Sequence, residues 1–419
     1  MFNIKNKIGF LLVGLLSFVF CLIEAQGQGD FYIFISASGD LSRHNNIFVN
    51  KYLVDYHYYY SVLFALLLKP FYYLPFYWVK FGWLILNITL YFHLFGLLTN
   101  SIFVERLSNK QKTWFLLCVF IFSSRFLREN IHTSQTTILI LWCSVYGILR
   151  IHQNKNFSGA MILALGINIK VLPLVLLPYL LYRAYYKGFL FTLFFCFAFL
   201  MIPSVIIGHD YNMDLIRSWF DLLNPTHQEH VLDVDERSFH SLTTLLSVLL
   251  VEKVPDPLAM DIKRNILDIP LAAFFYVSLL VRLSLISFVI YFLGWKPFKK
   301  ASSSWQQMVE IAYILLLVPL VFPHQQHYAF LYTVPAFAIV LYYAIINFQS
   351  FGYVRKRCVI SLLTLIYLTA NLKILLGEFN RYYEHFKILT YGALLLIPGL
   401  VWVWRKSKEG LASKGFSEE

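Results

Sequence analysis

The sequence predicts an all-α polytopic membrane protein, and three observations predict it. Hydrophobic residues make up 58% of the 419-residue chain against 14% charged, and the mean hydropathy is +0.62. That much apolar surface exceeds what one water-soluble core can bury. About twelve apolar runs follow one another along the chain, several of them short for a full crossing of the hydrocarbon core. Lysines and arginines gather in alternate connections, as in membrane proteins that keep basic loops on one side. The net charge of +12 is thereby explained without nucleic acid, whose binding needs a basic face on a soluble domain.

The runs lie near residues 8–25, 77–99, 113–127, 132–150, 157–169, 171–184, 189–208, 269–293, 308–322, 328–347, 358–376 and 388–404. Lys5 and Lys7 precede the first, and Ile23-Glu24-Ala25 has the form of a signal-peptidase site, although a retained first helix fits the string of spans equally well. With the N-terminus in the cytoplasm, the inside loops hold Arg106, Lys110 and Lys112; Arg150 and Lys155; Arg183 and Lys187; Lys296, Lys299 and Lys300; Arg355 to Arg357; and Arg405, Lys406 and Lys408. The C-terminus then also lies inside. This topology requires that residues 59–75, YYSVLFALLLKPFYYLP, lie in the outer interface or re-enter briefly, because a full span there would reverse everything after it.

The predicted organisation is a single integral domain, 1–419, with exterior loops at 26–76 and 209–266. Cys21, Cys118, Cys143, Cys196 and Cys358 sit in or beside apolar runs without CxxC spacing, so neither a disulfide framework nor a zinc site is signalled.

Acids and histidines collect on the predicted exterior face, close to helix ends. Asp30 directly follows the first run, in the stretch QGDFYIFISASGD. It is placed either to cap a helix beginning at Phe31 or to act as a general base at the membrane boundary. Lys170 interrupts an apolar stretch. An ammonium in the membrane costs on the order of 2.5 to 3.5 kcal/mol, so it should face a wet cavity, an anion or the outer surface. Pro173 predicts a helix break beside it. His324 and His327 bracket two glutamines in the turn FPHQQHY, a cluster able to donate to phosphate or sugar hydroxyls. No carboxylate or cysteine accompanies them in the sequence, so no metal is expected. Asp233-Val234-Asp235 resembles a DxD motif but lacks the nucleotide-binding domain such a motif serves, and reads as a solvated acidic loop.

Seven pieces in order resemble glycosyltransferase family 87: DFYIFISAS at 30–38, LFALLLKPFYYLP at 63–75 followed by Trp83 and Asn87, RFLRENIHTSQTTILIL at 125–141, GINIKVLPLVLLPYLLYR at 166–183, SFHSLTTLL at 238–246, FPHQQHYAFLYTVPA at 322–336 and YYEHFKILTYGALLL at 382–396. The resemblance implies a GT-C fold and an inverting enzyme that uses a polyprenyl-phosphate sugar, with members acting largely as mannosyl or pentosyl transferases. By the same comparison Asp30 matches the family's catalytic base, Gln135 the glutamine of a GQ-type motif, Lys170 the lysine before the proline, and His327 the histidine of the late exterior turn. The chain departs from the pattern at Ser61-Val62, Ser134, Phe239-His240-Ser241 and the FPHQQH turn, near the implied donor and acceptor clefts.

The sequence reading is therefore a metal-independent, cofactor-free transferase in a bacterial inner or plasma membrane, active on the exterior face. Its partners are the bilayer, a polyprenyl-phosphate sugar and a glycan or glycolipid acceptor. Asp30 and His327 are the catalytic candidates; Lys170, His324, Arg237 and His240 hold the donor phosphate; Gln135, Tyr56, Tyr60 and Trp219 face the acceptor. A flippase for lipid-linked sugars would call for repeats and polar residues on both sides of the midplane. An assembly subunit would leave Lys170 without a purpose.

Overall fold

The computed structural model describes residues 4–53, 55–102, 106–224, 232–252, 254–260 and 262–413. Among these the regular elements are helices, apart from one two-stranded hairpin, Lys51–Tyr52 paired with Tyr56–His57. The helices up to residue 222 are α1 (Ile4–Glu24), α2 (Phe31–Ser42), α3 (Val62–Leu68), α4 (Phe76–Ser101), α5 (Asn109–Thr133), α6 (Thr137–His152), α7 (Asn156–Ile169), α8 (Leu176–Tyr182), α9 (Tyr186–Ile207) and α10 (His209–Leu222). Beyond them come Leu242–Leu250, Leu271–Ser287, Val289–Leu293, Ser304–Val321, Val334–Asn347, Tyr353–Asn371, Asn380–His385 and Ile388–Ser413.

Six described stretches are long and apolar enough to cross a membrane: Phe76–Ser101, Tyr186–Ile207, Leu271–Leu293, Ser304–Val321, His327–Ser350 and Ile388–Lys406. Several other apolar helices, α6 and α7 among them, are shorter. One boundary differs from the sequence reading. The runs at 113–127 and 132–150 do not divide near residue 130: α5 continues to Thr133, and the break falls at Ser134-Gln135-Thr136, where Ser134 takes a left-handed φ of 58°. Segment 59–75 forms α3 and a 3-10 turn over Lys69–Tyr73. Twelve residues rise only about 18 Å, too little for a bilayer core of about 30 Å.

The chain divides into two compact units. The first contains residues 1–97, 127–181 and 185–224. In it α6 and α7 pack so closely that a Cβ on Gly147 would lie 2.9 Å from the Gly159 carbonyl oxygen, the small-residue contact that brings apolar helices together without a hydrophobic drive. Ser61 caps α3 by accepting from Phe64 N–H at 3.2 Å, and its hydroxyl donates to Asn168 Oδ1 at 2.8 Å near the end of α7.

The second unit contains residues 98–126, 182–184 and 225–419. Ser304–Val321 and His327–Ser350 are its most enclosed apolar stretches. Phe122 stacks on Phe337 with ring centres 3.9 Å apart. Arg183, read from sequence as an inside-loop charge, is buried: its Nε donates to Glu310 Oε2 at 2.9 Å, its Nη2 binds Glu310 Oε1, and Nη2 also donates to the Leu293 carbonyl at 2.8 Å. Gln306 adds a 2.7 Å bond to the same carboxylate. A buried pair is tolerable only when such bonds saturate it. Within the stretch 209–266, α10 belongs to the first unit and the described residues from 232 onward to the second.

Candidate functional site

In the first unit the site is built on the turn that breaks α5 from α6. Gln135 N–H donates to the Asn130 carbonyl at 2.9 Å, and the Trp83 indole donates to the Ser134 carbonyl at 3.1 Å. Asp30 N–H donates to the Thr133 carbonyl at 2.9 Å. Gly29, with φ +58°, makes that approach possible, because a Cβ there would come within 3.1 Å of the Ser134 hydroxyl and the Thr133 carbonyl. Lys80 fastens the incoming chain by donating to the Glu24 and Gly27 carbonyls at 2.7 and 2.8 Å.

Asp30 stands at the N-cap position of α2, yet its side chain makes no capping bond. Its Oδ2 accepts from Gln135 Nε2 instead, and Gln135 Oε1 accepts from the Tyr60 hydroxyl at 3.2 Å. Of the two uses the sequence offered for Asp30, the structure therefore excludes the cap. Tyr60 is 7% exposed, so its ring belongs to an aromatic core with Phe34, 4.6 Å between centres, rather than to an open face.

Lys170 lies in the turn predicted for it. Helix α7 ends at Ile169, Lys170 is extended, and Pro173 sits in a 3-10 turn before α8. The ammonium lies 5.5 Å from the centre of the Tyr60 ring, a cation–π distance, and within electrostatic reach of Asp30. Asp30, Gln135, Tyr60 and Lys170 thus form one constellation inside one unit. Tyr56 lies on the hairpin, 47% exposed. Trp219 does not present a stacking face: it is 3% exposed and donates to the Tyr59 carbonyl at 3.3 Å.

The remaining candidates lie in the second unit. His240 and His327 are buried with ring centres 4.7 Å apart. Both direct Nε2 at Glu384 Oε2, at 2.8 and 3.0 Å, and Lys373 Nζ sits 2.9 Å from Glu384 Oε1. The sequence reading paired His327 with His324 and found no carboxylate beside them. The structure pairs His327 with His240 and supplies Glu384 from 57 residues downstream. The three ligand-type atoms lie within 4.8 Å of one another. Burial pushes the His240 imidazole down to about 4 against the pull of Glu384. Burial would raise the Glu384 carboxyl, but the two rings outweigh it and hold the group well below the usual range.

His324 belongs to another network. Asp233 is fully buried, not part of a solvated loop as the sequence suggested. It accepts from Ser241 Oγ, from Thr244 Oγ1 at 2.7 Å and from His324 N–H at 2.7 Å, with His324 Nδ1 at 3.2 Å. Burial nevertheless raises its carboxyl to about 6. These bonds tie the FPHQQH turn to the start of helix Leu242–Leu250. Arg237 has an exposed side chain, and its carbonyl accepts from Lys387 Nζ at 3.0 Å. Sequence reasoning missed Glu384 and Arg125 as parts of the site. Their only sequence signal is that both stand in quoted pieces of the family resemblance, RFLREN and YYEHF.

Six long apolar stretches mark a multi-pass membrane protein, and its first unit holds a half-buried carboxylate and ammonium beside a buried amide. The family model of glycosyltransferase family 87 matches residues 58–294, more than half of the chain, and the protein belongs to that family. The match includes Gln135, Lys170 and His240, while Asp30, His327 and Glu384 lie outside it. No curated protein matches the chain significantly.

Proposed function

We propose that this glycosyltransferase carries out an inverting transfer of a hexosyl, in particular mannosyl, or pentosyl residue from a polyprenyl-phosphate donor to a lipid-linked or polymeric glycan on the exterior face of the membrane, on a GT-C scaffold. The observation that carries the reading is the orientation of Asp30. A carboxylate at a helix start that leaves its cap unused and is held by a side-chain amide is positioned for something other than stabilising that helix.

In the proposed step Asp30 takes the proton of the acceptor hydroxyl. The acceptor oxygen forms a bond to the anomeric carbon, and the bond from that carbon to the phosphate oxygen breaks, its electron pair leaving on the lipid phosphate. The phosphodiester monoanion becomes a monoester dianion and the proton remains on Asp30, so charge and atoms balance. Leaving-group protonation is unnecessary, and the second carboxylate of a glycosidase has no task. Gln135 fixes Asp30, Lys170 offsets the charge that grows on the phosphate, and Tyr56 is proposed to meet the acceptor. Within the second unit, His240, His324, His327 and Arg237 are proposed as hydrogen-bond donors to a phosphate group. The step needs no metal.

The test is to incubate the purified protein with a panel of radiolabelled polyprenyl-phosphate sugars and a glycan acceptor. Transfer with inversion at the anomeric carbon, lost in Asp30→Asn, is the expected result. Equal transfer by that variant contradicts the assignment of the base.

A further inference from the structure

We propose that Glu384 is a positioning residue that orients His240 and His327 and stabilises them as imidazolium donors toward a phosphate group. This rests on the reading above, in which these histidines meet the donor phosphate.

A carboxylate accepts only, so with both Nε2 atoms on Glu384 each ring carries its proton there, and each is left to face any further partner through Nδ1. To donate to a phosphate oxygen, Nδ1 needs a second proton, and a carboxylate on the far side of the ring is what makes the doubly protonated form affordable in a buried place. His240 Nδ1 is buried with no hydrogen-bond partner among the described residues. Arg125 Nε and Nη2 are in the same condition, although Arg125 Nη1 donates to the Tyr383 hydroxyl at 2.8 Å and to the Ala370 carbonyl at 2.5 Å. Three nitrogens in one buried neighbourhood are thus without acceptors.

The frame around them is fixed. Thr390 Oγ1 donates to the His240 carbonyl at 2.7 Å, and His240 N–H donates to the Gln325 carbonyl at 2.8 Å. The Tyr383 ring lies 5.0 Å from the Arg125 guanidinium and 5.9 Å from the His240 ring. The charged groups that act on His240 are Glu384, Lys387 and Arg125, and Lys373 pairs with Glu384; Arg264, Asp233 and Asp256 act on Lys387. The nearest shell is one carboxylate among three cations. That balance favours an anion over a divalent cation, although the histidine nitrogens and the carboxylate have metal-ligand types and spacing.

The experiment measures binding of farnesyl phosphate to the detergent-purified full chain from pH 5 to 8, in wild type, Glu384→Gln and Glu384→Asp, with inorganic phosphate and anionic-lipid vesicles as parallel probes. Wild type should bind farnesyl phosphate more tightly as the pH falls. Glu384→Gln should weaken binding about 10-fold near neutrality and move the pH midpoint lower, since the charge that favours the imidazolium is gone, and Glu384→Asp should recover part of both. Binding of farnesyl phosphate in preference to the other probes assigns the site to a lipid phosphate; equal binding of inorganic phosphate assigns it to the phosphate group alone. Unchanged affinity and pH profile in a folded Glu384→Gln protein overturns the proposal. So does a stoichiometric divalent metal present in wild type and lost from the variant.

If Glu384→Gln does not fold, histidine-selective NMR of the wild type decides. Nε2-protonated rings that gain an Nδ1 proton on adding farnesyl phosphate support the proposal, and rings protonated at Nδ1 alone overturn it. A protein that binds with the predicted pH profile and transfers no sugar would sink the transferase reading and leave Glu384 in its role. Transfer that depends on Asp30 and is indifferent to Glu384 would do the reverse.

Discussion

The two units each hold a carboxylate in a polar cluster, and the partners of those carboxylates differ in kind. Asp30 is held by the neutral amide of Gln135, with the Lys170 ammonium in electrostatic reach. Glu384 holds two imidazoles, His240 2.8 Å from Oε2 and His327 3.0 Å from both oxygens, and an ammonium 2.9 Å from Oε1. A carboxylate surrounded by proton-bearing rings and a cation is a poor acceptor for a substrate proton, whereas an amide steers a carboxylate without bringing a positive charge to it. The comparison separates a group suited to proton transfer from one suited to organising donors. Asp233 adds a third kind, a carboxylate that binds hydroxyls and a backbone N–H of its own chain and holds a turn.

Three substitutions sharpen that contrast, in falling order of effect. Asp233→Ala strands the Ser241 and Thr244 hydroxyls and the His324 N–H in a buried place. It should lower unfolding stability by about 3 to 5 kcal/mol, read as the thermal midpoint in detergent, and a midpoint equal to wild type would remove Asp233 from the structural class. Lys170→Met keeps the bulk and removes the charge. The donor KM should rise about 10- to 30-fold with the fold intact, whereas an effect on stability alone would make the lysine a packing residue. Gln135→Leu should lower kcat about 10-fold with little change in KM, because it loosens Asp30 without touching the donor.

The pH dependence of stability is the most particular effect. The Asp233 carboxyl is raised by burial from 3.8 to about 6. A raised folded-state value means that its contribution is fully present below about pH 4 and is lost as the pH rises through about 6. Measured against Asp233→Asn, the wild type should therefore lose about 2 to 3 kcal/mol over that window. Parallel curves for the two proteins would show that the buried carboxyl does not titrate there.

The parts legible in the sequence were those that local chemistry dictates. Apolar runs marked the helices, Pro173 marked the break at Lys170, and the placement of Asp30 past the first run marked it as unusual. The break at Ser134 to Thr136 was misplaced because no proline or glycine signals it, and a serine adopts the left-handed turn. Glu384 was illegible for a different reason. It lies 144 residues from His240, and spacing along a chain says nothing about partners that only tertiary packing brings together. The same holds for Arg183, whose charge reads as an ordinary basic loop until Glu310 is found 127 residues away. Asp233 looked solvated because acidic tripeptides in loops usually are, and the hydroxyls that enclose it come from residues that look unremarkable alone.

The measurement that tests the central claim most directly is the single-turnover rate of sugar transfer in Asp30→Asn against wild type, at saturating donor and acceptor, with the thermal midpoints compared in parallel. Loss of the general base should slow the transfer about 10²- to 10⁴-fold while donor binding and the midpoint stay near those of wild type. A variant that turns over at the wild-type rate would show that Asp30 is not the base and that the amide of Gln135 holds it for another purpose.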